Sequence, residues 1–66
     1  MDMTDIVTKW TYEFRTGRRQ SMVVVPAEQS QEYQDYLLEQ YKLGGVFAWT
    51  RVPHTTSHTS FIITHV

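Results

Sequence analysis

Ile6-Val7-Thr8-Lys9-Trp10-Thr11-Tyr12-Glu13-Phe14-Arg15 alternates strictly in character. In an extended chain successive side chains point to opposite faces. Ile6, Thr8, Trp10, Tyr12 and Phe14 therefore share one side, and Lys9, Thr11, Glu13 and Arg15 share the other. Such a period of two over ten residues predicts a strand with one face buried. Gly17 accepts a positive φ, and Gly17-Arg18 suits a two-residue hairpin turn. That turn sets Phe14 opposite Ser21, Tyr12 opposite Val23 and Trp10 opposite Val25, so aromatic rings meet β-branched neighbours. A three-residue loop would bring Met22 and Val24 to the aromatic face instead, because a slip of one residue exchanges the faces.

The alternation stops at Pro26, whose fixed φ suits a helix start. From Ala27 to about Leu43 the period becomes helical. Tyr33, Leu37 and Tyr41 form one apolar stripe, while Glu28, Gln31, Glu32, Asp35, Glu39 and Lys42 fall opposite. Gly44-Gly45 supplies a left-handed stop. Val46–Val52 and Phe61–Val66 then read as a second antiparallel pair around the polar segment 54–60. Phe47, Trp49 and Arg51 are expected on the same face as Phe61, Ile63 and His65. The expected fold class is α+β: a single domain over residues 1–66, ββαββ, a four-stranded antiparallel sheet with one amphipathic helix packed on one face. Trp10, Phe14 and Trp49 are expected beneath the Tyr33–Leu37–Tyr41 stripe.

Sixty-six residues allow one core and little surplus stability. Folding should bury roughly 6,900 Å². At ~25 cal/mol per Å² of its apolar part, this contributes on the order of 100 kcal/mol. Ordering the chain at ~1.5 kcal/mol per residue costs about the same. A partner or a second copy would therefore matter to stability. The chain has no cysteine, which removes disulfides, thiolate metal sites and thiol nucleophiles and favours a cytoplasmic setting. The acidic Met1–Asp5 start does not resemble a signal peptide, and no apolar run is long enough for a membrane span.

Net charge is −1, but its distribution is uneven. Lys9, Arg15, Arg18 and Arg19 oppose a single Glu13 around the first hairpin, whereas Glu28, Glu32, Asp35 and Glu39 line the helix. Arg15, Arg18 and Arg19 on a projecting tip suit bidentate contact with carboxylates or phosphates. The sheet face away from the helix should expose Met22, Val24, Val46, Val52, Ile62 and Val66, an apolar area of the kind that marks an interface. These features together predict a non-enzymatic module that docks on a larger protein. Small cysteine-free domains of this kind, including those made by bacteria or their phages, serve as adaptors, subunits or inhibitors. The alternative is a nucleic-acid-binding domain using the arginine tip, against which the low pI and the helix acids weigh. A homodimer is a third arrangement, through stacked outer faces or through Phe61–Val66 as an edge strand. The acidic helix face offers a further contact surface for a basic partner.

Other chemistries find little support. The Lys/Arg-Gly-Phe/Tyr run of RNA-recognition sheets is absent, and the aromatics match the helix stripe too well to be free for base stacking. His54, His58 and His65 fall short of the ligand number zinc requires. Ser57 and His58 are adjacent, so their side chains diverge if the segment is extended. A packed aromatic core leaves little room for a ~300 Å³ pocket. No catalytic residue, metal ligand or cofactor is expected.

Overall fold

The computed structural model describes residues 7–66; the expected strand start at Ile6 and the acidic Met1–Asp5 stretch lie outside the described residues. Strand β1 spans Val7–Tyr12 and β2 spans Arg19–Pro26. A 3₁₀ turn, Ala27–Gln29, leads into helix α1, Ser30–Lys42. Strands β3, Val46–Pro53, and β4, His58–His65, complete the chain. All pairings are antiparallel, in the order β1-β2-β4-β3. This is the expected α+β fold, with one helix on one face of a four-stranded sheet.

The sheet places β4 in the middle, because β4 pairs with both β2 and β3. The expectation that Phe61–Val66 forms an edge is thereby corrected; the edges are β1 and β3. The reason lies in the side chains. Phe61 and Ile63 are buried, and a central strand buries them better than an edge would. The strand also starts earlier than its apolar residues suggest, at His58, with Thr59 and Ser60 buried inside the sheet. Only residues 54–57 remain as the turn, closed by the amides of His54 and Thr55 donating to the His58 carbonyl.

The first hairpin departs from the expected register. Trp10 faces Ser21 rather than Val25, and Tyr12 faces Arg19. The connection is a four-residue loop, Phe14–Gly17, closed by the Glu13 amide donating to the Arg18 carbonyl at 2.7 Å. Local polar bonding favours it over the shorter turn. Thr16 Oγ1 donates to Glu13 Oε2 at 2.7 Å, and the Arg18 amide donates to Thr16 Oγ1 at 3.3 Å. Gly17 takes φ 71° and its amide reaches the Glu13 carbonyl at 2.8 Å. The displacement along the partner strand is four residues, an even number, so the paired residues of β1 and β2 stay on their expected faces.

The helix ends as a Schellman motif. Gly44, at φ 84°, donates to the Tyr41 carbonyl, and Gly45 donates to the Gln40 carbonyl at 2.9 Å. At its other end, Arg51 of β3 donates to Ser30 Oγ at 2.9 Å and to Gln34 Oε1 at 3.3 Å, tying strand to helix. Ser30 Oγ in turn donates to the Ala27 carbonyl at 2.7 Å.

The core consists of Val23, Val25, Tyr33, Leu37, Val46, Phe61 and Ile63, with Trp49 packed against it. Tyr33 meets Phe61 at 5.2 Å between ring centroids, and burial pushes its phenol pKa up to about 12. Tyr41 meets Trp49 edge-on, though it remains half-exposed. Three rings of the first hairpin that were expected in the core lie elsewhere, among them Tyr12, which is 70% exposed. Phe14 is in the loop and 100% exposed, and Trp10 is 55% exposed on β1. The cause is width. Four strands ~4.8 Å apart are wider than one helix of ~10 Å, so α1 packs over β3, β4 and β2 and leaves β1 open.

Candidate functional site

The outer sheet face carries most of the residues expected to meet a partner. Lys9 faces Met22, Met22 faces Ile62, and Ile62 faces Thr50 across the sheet. Met22 and Val52 are half-buried, and Ile62 is exposed. Val24 lies on this face but is buried, at a middle-strand position with Ser60 opposite it on β4. It offers no contact area, which corrects its expected exposure.

Val46 is corrected more sharply. Val46 pairs with His65 and Ala48 pairs with Thr64, leaving Phe47 as the extra residue of a β-bulge. A bulge sets two residues against one and reverses the alternation that follows. Val46 accordingly turns inward to 7% exposure, and Phe47 leaves the aromatic face expected for it. The guanidinium of Arg18 lies 3.9 Å over the Phe47 ring.

The three arginines of the hairpin diverge. Arg18 reaches Phe47. Arg19, one residue on, points to the opposite face and stacks 4.4 Å over the Trp10 ring. Arg15 remains in solvent and pairs with Glu13 at 3.4 Å. The hydrogen bond from Thr16, together with the charges of Arg15 and Arg18, holds the Glu13 carboxyl below its ordinary value. Stacking on aromatic rings leaves guanidinium N–H groups free to meet a ligand.

On the helix side, the uncovered strip beside β1 is a cleft of about 250 Å³, lined by Trp10, Ser21, Tyr36, Gln40 and His65 among others. His65 stacks on Trp10 at 5.1 Å and shares a 2.8 Å hydrogen bond between its Nε2 and Ser21 Oγ. Sequence reasoning missed this group. Its signal was present: Ser21 and His65 are polar residues at inward positions of otherwise apolar strands.

Burial, reinforced by the Arg19 charge, pulls the His65 pKa below its ordinary value. The folded protein therefore disfavours the protonated ring, and the unfolded chain takes up the proton first. The stability this group contributes is complete above about pH 6.5 and is lost as pH falls toward the lower, folded value. Urea midpoints measured between pH 7.5 and 5.5 should fall with pH, and His65→Gln should flatten the slope. An unchanged slope in the variant would assign the effect to another group.

The β3–β4 turn holds one further surprise. Ser57 Oγ lies 2.8 Å from His58 Nδ1, so the two side chains converge where divergence was expected. The segment is bent, not extended, at Ser57. No group of three or more potential metal ligands occurs among the described residues. No described helix is long and apolar enough to cross a membrane. No protein-family model, curated protein or solved structure matches the chain.

Proposed function

We propose that this domain is a non-enzymatic interaction module, an adaptor, subunit or inhibitor that docks on a larger protein through its outer sheet face and hairpin tip. One observation carries the reading: the four strands contain no carboxylate at all. Four acids sit instead on the exposed side of the helix segment. Lys9 and Arg18 flank an outer-face area made of Met22, Phe47, Val52 and Ile62, and the exposed Val66 follows the end of β4. A partner of matching chemistry presents an apolar patch with acidic residues around it. Arginine and aromatic side chains are the residue types that dominate binding energy at such surfaces.

The test compares capture by the full chain and three variants, followed by hydrogen exchange on the captured complex. The triple Arg15→Ala, Arg18→Ala, Arg19→Ala variant and Ile62→Glu should each stay folded and weaken binding by more than tenfold. The helix variant Glu32→Lys should leave binding unchanged, and protection should map to the outer face. Retained capture by the first two overturns the reading; loss with Glu32→Lys alone moves the contact to the acidic helix face. Light scattering that reports a doubled mass would make a second copy the occupant.

A second reading, nucleic-acid binding at the tip, draws on the exposed Tyr12 and Phe14 beside the arginines. Aromatic and basic groups together serve single-stranded nucleic acid. Affinity for mixed oligonucleotides should then fall by about one log unit per log unit of salt for each phosphate contacted. Flat or absent binding removes it.

A further inference from the structure

We propose that the cleft between α1 and β1 is a binding site for a planar aromatic small molecule carrying a carboxylate. This goes beyond the docking role: the cleft opens on the helix side of the sheet, and Arg19 is the one residue it shares with the docking test. About 250 Å³ equals the liquid volume of roughly eight waters, enough for a mono- or bicyclic ring. Ser21 and Val23 line it from β2, and the half-exposed rings of Trp10 and Tyr36 line it from β1 and the helix. Apolar walls with few polar groups characterise small-ligand sites.

The polar groups set the ligand's chemistry. Gln40 supplies an amide with both a donor and an acceptor. His65 uses Nε2 on Ser21, and Nδ1 has no hydrogen-bond partner among the described residues. No carboxylate lines the cleft. Arg19 is not part of the lining, but its guanidinium lies 4.4 Å over the ring of Trp10, which is. A negative group on a ring seated beside Trp10 has that guanidinium as its partner, and no lining carboxylate opposes it.

The experiment titrates the full chain with indole-3-acetate and with its uncharged amide, indole-3-acetamide, followed by ¹H–¹⁵N NMR. Trp10 borders the cleft, whereas Trp49 lies on the other side of the core under Tyr41. The expected result is saturable movement of the Trp10 indole and Gln40 side-chain signals, with Trp49 still. A Kd of about 1 mM is expected for so small a ligand. The acid should bind about tenfold tighter than the amide, and Arg19→Gln should abolish that preference. Tyr36→Ala, on the exposed helix surface, should weaken both without unfolding the chain. Equal affinity of acid and amide in the unaltered protein, or no saturable shift at Trp10, overturns the proposal. Tighter saturation by adenosine monophosphate than by the aromatic carboxylate overturns it in favour of a nucleotide.

Discussion

Phe61→Ala is expected to leave the domain largely unfolded, while Phe14→Ala leaves its stability unchanged. The two residues are chemically identical, and the alternation of the sequence assigns both to the aromatic face. Phe61 is 0% exposed in the central strand, against Tyr33 of the helix and beside Val23 in the register. Removing a ring there costs about 3–5 kcal/mol, the lost transfer energy plus the cavity. A 66-residue domain has about 3–10 kcal/mol in total. Phe14, fully exposed in the loop, has nothing to lose beyond ~0.5 kcal/mol. Urea denaturation followed by circular dichroism decides the matter. With a slope near ~1 kcal/mol/M, the Phe61→Ala midpoint should drop by about 3 M or the transition should vanish. Equal midpoints for the two variants would mean that inside and outside are misassigned.

The same pair shows how far the sequence could be read. Periodicity located the strands and helix because burial of one face imposes it directly. The Gly44-Gly45 stop was legible because a positive φ is a property of single residues. The hairpin register was not. It depends on whether Glu13 and Thr16 bond to each other, an energy of about 1 kcal/mol that no pattern of apolar residues encodes. Phe14 continued the alternation of β1 and so looked like core, yet it is the first residue of the loop. Strand order lay beyond reach for a different reason: either hairpin could present either strand to the middle. Burial of Phe61 and Ile63 resolves it in favour of β2 beside β4.

The candidate sites follow from the strand order and from the width of the sheet. A helix narrower than the sheet leaves Trp10 and His65 beside an open cleft, and strand order decides that β1 is the strand left over. The arginines appeared as one cluster in sequence because they are close along the chain. In the fold, neighbouring positions 18 and 19 serve opposite faces, so one guanidinium stacks on Phe47 and the next on Trp10. Proximity in sequence was a poor guide where the backbone is extended.

Val46→Asp should destabilise the domain severely, and Ala48→Asp should not. In a regular strand, residues two apart share a face, and the two substitutions would have similar effects. The bulge at Phe47 breaks that equivalence: Val46 joins the core with Leu37 and Ile63, and Ala48 is exposed on the outer face. An unpaired carboxylate forced into the Val46 position costs about 3–5 kcal/mol or drives rearrangement of the strand. At Ala48 the penalty is limited to strand propensity, at most ~1 kcal/mol. Phe47→Ala provides the third point. Its ring lies half-exposed under Arg18, so stability should change by no more than ~1 kcal/mol, the scale of an exposed cation–π contact. If docking uses the outer face, Phe47→Ala should nevertheless weaken partner capture, because the bulge is what carries that ring across the sheet. Denaturation midpoints for the three variants thus report the bulge itself, and similar losses for Val46→Asp and Ala48→Asp would show that the strand runs without one.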